Sequence, residues 1–118
     1  MKYPYIKNIA HEEALALSGQ VVTQPGQIVS KTLAQNGAVS ITLFAFDKDE
    51  EISTHDSDGD AMATVLEGTG QFTVYGRIHL LNAVETLVMP AKKPHAVFAK
   101  EQFKMLLVVV FPYEKDEK

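Results

Sequence analysis

The sequence contains no cysteine, which excludes disulfide bridges, thiolate metal sites and cysteine nucleophiles. It also lacks a long hydrophobic run. The longest unbroken apolar stretch, Met105 to Phe111, falls far short of the roughly 18 residues that a membrane-spanning helix needs. The opening residues Met1-Lys-Tyr-Pro-Tyr-Ile-Lys-Asn8 offer no apolar segment followed by a small-residue cleavage site. Positive charge is scarce and dispersed: the formal net charge is −4, and Lys92-Lys93 is the one basic pair. General affinity for nucleic-acid phosphates needs clustered Lys and Arg. These absences predict a soluble, cytoplasmic protein with neither membrane nor nucleic acid among its partners.

What is present reads as β-structure. The 118 residues suffice for one domain with a single core, with no repeat or internal linker. Asn8 to Ser18 is the one predicted helix, with Asn8 as its cap, Glu12 and Glu13 in its first turns and Gly19 at its end. Beyond Val21 the pattern is strand-like. Ile28 to Ala34 and Val39 to Phe46 are separated by the hairpin signal Asn36-Gly37. Ala61 to Leu66 and Gln71 to Tyr75 flank Glu67-Gly68-Thr69-Gly70. Ile78 to Leu81, Thr86 to Met89, Ala96 to Ala99 and Phe103 to Phe111 follow. Roughly nine short strands with turn signals about every eight to twelve residues mean an all-β sandwich or barrel.

The last strand bears on assembly. Leu106, Val108 and Val110 point opposite to Met105, Leu107 and Val109, so both its faces are apolar. An antiparallel strand with one wet face should alternate instead. The outer face therefore needs cover, and a homodimer is expected; the alternative is cover from Tyr3, Tyr5 and Ile6 within one chain.

Two segments carry the chemistry. In the first, His55 closes a short strand, and a β-rich run leads through Val65-Leu-Glu-Gly68-Thr-Gly70-Gln-Phe72. In the second, Val88-Met-Pro90-Ala leads to Pro94-His95-Ala. Alternation along a strand puts His55 and residue 57 on one face, as it does residues 61, 63 and 65. Together the segments resemble the two-part signature of the cupins, over about residues 28–111. The resemblance implies a double-stranded β-helix, a jelly-roll barrel of antiparallel strands, whose interior often holds a metal. The family places histidines at the first two positions of the first segment, a carboxylate or amide near the third, and a histidine after the second proline. Here His55 and His95 fill the first and last places, while Ser57 and Ala61 occupy the others. Val84 and Lys92 stand where turn glycines are common.

Asp60, one position from the missing carboxylate, is the remaining candidate ligand if a bulge turns it inward. The resemblance thus leaves two readings open. One is a small-molecule-binding barrel with a pocket centred on His55 and His95, lined by Ser57, Asp60, Ala61, Phe44, Val65, His79 and Phe103. Its ligand would be polar or anionic, met near the mouth by the imidazoles and Lys93. The other is a metal-dependent enzyme (dioxygenase, isomerase or decarboxylase) holding one divalent transition metal (Zn, Fe, Mn or Ni) on His55 and His95 with help from Asp60. No phosphate-binding glycine loop, nucleophile elbow or dinucleotide fingerprint occurs.

Overall fold

The computed structural model describes residues 4–113. Nine strands are present: β1 (Ile28–Gln35), β2 (Val39–Phe46), β3 (Glu51–His55), β4 (Asp60–Glu67), β5 (Thr69–Val74), β6 (Arg77–Asn82), β7 (Thr86–Met89), β8 (His95–Phe98) and β9 (Phe103–Val110). They form a five-stranded sheet in the order β1-β2-β9-β4-β7 and a four-stranded sheet in the order β3-β8-β5-β6. Every pairing is antiparallel. The all-β expectation therefore holds. Among the described residues helix is confined to one 3-10 turn, Leu17–Gln20, at the C-terminal end of the stretch where a short helix is predicted. Nothing helical forms upstream because Asn8 (φ 69°) and Glu12 (φ 62°) sit in the left-handed region, which interrupts a right-handed helix.

The sheets face each other, and the period-2 pattern decides what lies between them. Phe46, Phe72, Phe103, Val65 and Met105 from four different strands are fully buried there. The Phe103 ring stacks on Phe46 at 4.6 Å and 16° and meets Phe72 edge-on at 6.1 Å and 75°. This cluster also explains the Gly68-Thr69-Gly70 motif. Gly68 takes φ +80° in the turn, and a Cβ on Gly70 would lie 2.6 Å from the Phe103 ring. The first glycine turns the chain and the second makes room for the aromatic core.

A second, smaller core lies on the outer side of the five-stranded sheet. Val21, Leu33, Leu43 and Ala45 are buried there, with Ile9, Leu17, Leu66 and Leu106 packed against them. The chain thus covers part of the outer face of β9 itself. It does not do so with the residues named above: Tyr5 is 92% exposed and Ile6 is also exposed, and Tyr3 lies outside the described residues. The rest of that face stays open. Ile41 still packs on the small core, but Val108, Met62 and Val88 run on from it in direct pairing across β9, β4 and β7, and Met62, Val88 and Val110 are all exposed.

Candidate ligand pocket

His95 opens β8, and its inward orientation follows from its neighbours. It pairs with Val74 of β5, which packs against the inner core, as does Val97 two residues on. His95 is itself 4% exposed. His55 reaches the same face by a less direct route. Ile52 pairs with Val97 and His55 with His95, so three steps on β3 oppose two on β8. Strict alternation would send Ile52 and His55 to opposite faces; one extra residue puts both on the same face of the sheet, although His55 stays exposed there. Ile52 packs on the core, and the His55 ring meets the His95 ring edge-on, with centroids 4.4 Å apart.

Both imidazoles are held the same way. His55 Nδ1 donates to the Ser53 carbonyl at 2.9 Å, and His95 Nδ1 to the Lys93 carbonyl at 3.2 Å. A carbonyl oxygen only accepts, so Nδ1 carries the proton and the neutral ring keeps its lone pair on Nε2. Among the described residues neither Nε2 has a protein partner. Burial, first, and the neighbouring His55, second, hold His95 below the ordinary imidazole range, against the opposing pull of the Lys93 carbonyl and Asp56.

The other candidates separate. Ala61 faces inward and is buried, but a methyl group offers a ligand no donor. The Ser57 hydroxyl donates to the Gly59 carbonyl at 2.7 Å. Asp60 does not turn in: Asp60 pairs with Val110 and Ala61 with Val109 in unbroken register, so no bulge reverses its face. Its Oδ1 accepts the Ala91 N–H at 2.8 Å. Val65 and Phe103 belong to the solid core at 0% and 1% exposure. Phe44 is only partly buried and borders that core. His79 is half-buried and pairs with Phe72, which puts it on the inner face. Lys93 places its ammonium over the Tyr75 ring, 4.6 Å from the centroid.

The donor set does not fit a resident metal held in the family's manner. Two imidazoles converge, the serine hydroxyl is committed to a carbonyl, alanine has no donor and the aspartate is outside. Among the described residues no group of three or more His, Asp or Glu side chains is placed to hold an ion. A transition metal needs several converging nitrogen or oxygen donors.

The sequence profile described as "Cupin domain" matches residues 42–111. The chain belongs to the cupin family. This cupin is similar to a conserved protein of unknown function from Streptococcus pyogenes, with a TM-score of 0.91 and 43% identity, covering 94% of this chain and 97% of that one. It is also similar to a cupin superfamily protein from Desulfitobacterium hafniense, with a TM-score of 0.86 and 32% identity over 91% and 98% of the two chains. A cupin 2 conserved barrel domain protein from Leptotrichia buccalis shares 41% identity at a TM-score of 0.78, over 80% of this chain and 46% of that one. Among curated proteins none matches. Two departures of this cupin from its family's pattern are local: Val84 and Lys92 keep the left-handed backbone of turn glycines, at φ 66° and 65°.

Proposed function

We propose that this cupin is a metal-free barrel that binds a small polar molecule at the mouth formed by His55 and His95. The observation that carries the reading is the matched pair of Nδ1–carbonyl bonds. These bonds leave both Nε2 lone pairs free on rings 4.4 Å apart, and among the described residues no third His, Asp or Glu joins them to complete a metal shell. Such a pair accepts hydrogen bonds from a ligand. The aromatic core beneath is filled, so the ligand is small. Elemental analysis of the purified protein, beside a thermal-shift screen of polar metabolites, tests this. The expected result is no stoichiometric metal and a melting temperature raised by a metabolite in the wild type but not in His95→Gln. One transition metal per chain, lost in both His55→Ala and His95→Ala, would overturn it in favour of the metal-dependent enzyme.

The uncovered apolar band on the five-stranded sheet supports a homodimer as the working form. Val108, Met62 and Val88 form one row, and a second copy presenting the same row gives a self-complementary interface. Light scattering should give twice the 13.0 kDa chain mass for the wild type and the single mass for Met62→Lys/Val88→Lys. A wild-type monomer at micromolar concentration would end the idea.

A further inference from the structure

The strand register carries the row of the two histidines across the whole four-stranded sheet. His55 pairs with His95, His95 with Val74, and Val74 with Arg77. Directly paired residues share a face. Val74 packs on the inner core, so the Arg77 Cβ leaves the sheet on the side that carries the histidines. Its position is pinned by the turn before it. Tyr75 and Gly76 have φ 51° and 84°, the pair of positive values that closes a tight two-residue hairpin. Arg77 is exposed. The single ion pair among the described residues joins Lys104 to Glu67, so the guanidinium has no carboxylate partner there. Lys93, the cation that the sequence alone brings to the mouth, is instead engaged with Tyr75.

We infer that Arg77 is the anion-binding residue of this pocket, and that the ligand is a short carboxylic acid bearing a hydroxyl or amine. The inference rests on the pocket reading above. Arginine presents a planar fork that takes a carboxylate through two parallel bonds. At the other end, two Nε2 lone pairs and the nearby Asp56, close enough to act on the charge of His95, all accept. The group that meets them must therefore donate. Two strand spacings separate His95 from Arg77, about 10 Å between backbones. Both side chains leave the same face of the sheet, so a ligand of a few atoms is long enough to bridge them. A hydroxy acid or amino acid of two to four carbons satisfies both ends; a dianion would put its second charge against Asp56.

The test uses lactate, 3-hydroxybutyrate, β-alanine and 4-aminobutyrate, each beside its own amide, titrated calorimetrically into the wild type, Arg77→Gln, Arg77→Lys and His95→Gln. At least one acid should bind the wild type tenfold or more tightly than its amide. Arg77→Gln should abolish that preference without lowering the melting temperature, and Arg77→Lys should keep part of it, because charge survives when the fork is lost. His95→Gln should weaken acid and amide alike. An acid-to-amide ratio unchanged in Arg77→Gln overturns the assignment of Arg77, and so does a wild type that binds none of the acids. If the metabolite screen still yields a ligand sensitive to His95→Gln, the pocket reading survives that failure; if it does not, both readings fall.

Discussion

Asp60 accepts the backbone N–H of Ala91 across an interval of 31 residues, at 2.8 Å. The residue that alternation left as a spare ligand instead fastens the first motif to the turn that presents His95. The adjacent bond from the Lys92 N–H to the Ser57 carbonyl, at 2.8 Å, makes the same connection. Asp60→Ala should cost about 1 kcal/mol, the lower end for a bond to a charged acceptor because the site is exposed. Asp60→Asn, which keeps an acceptor, should cost less. Urea midpoints for the three proteins decide it; equal losses in both variants would mean that charge, not the bond, matters.

Val84 occupies a turn at φ 66° and is 83% exposed. A β-branched side chain in the left-handed region is strained by about 1–2 kcal/mol, with little packing here to offset it. Glycine relieves that strain and returns part of it as extra freedom in the unfolded chain. Val84→Gly is therefore expected to stabilise by about 0.5–1 kcal/mol. Lys92→Gly, at φ 65° but unbranched, should be near neutral. Thermal melts that place Val84→Gly below the wild type would refute the strain argument.

The depressed His95 makes folding pH-dependent in a definite direction. The folded protein disfavours the imidazolium, whereas the unfolded chain protonates near the ordinary value of 6.5. The unfolded state thus binds the extra proton as the solution is acidified, and stability present above about pH 6.5 declines below it. Denaturant midpoints at pH 7.5 and 5.5 should fall for the wild type and fall less for His95→Gln. Identical drops in both would remove His95 as the source.

Phe103 and Phe44 share the inner face but not the same duty. Phe103 is buried between two aromatic partners, and Phe103→Ala should cost about 3–5 kcal/mol. Phe44 has one aromatic neighbour, Phe46 at 6.1 Å, and is only partly buried. Phe44→Ala should cost roughly half as much, since part of its surface already meets solvent. Equal losses in calorimetric or denaturant unfolding would place both residues in one closed core.

Alternation and turn chemistry made most of this architecture legible. Asn36-Gly37 marks the β1–β2 hairpin and the Gly68-Thr69-Gly70 turn the crossing from one sheet to the other, because each signal is local. That His55 and His95 lie close together is what the cupin resemblance implies; their direct pairing across β3 and β8 is not in either motif. What escaped the sequence was long-range. The row linking the histidines to Arg77 depends on which strands become neighbours, and nothing near Arg77 announces that. Asp60 looked free to turn because a bulge anywhere in the segment would suffice. The irregularity lies instead in β3, between Ile52 and His55.

The face that His55 presents is set by counting residues. Ile52 and His55 both point inward because one more residue separates them than alternation allows. The orientation of the imidazole is therefore a matter of phase, set by the number of links in Ser53-Thr54 rather than by what those links are. Exchanging either side chain leaves the histidine in place. Removing a single link would turn it to the opposite face of the sheet, away from His95, while every remaining atom of the motif stayed intact.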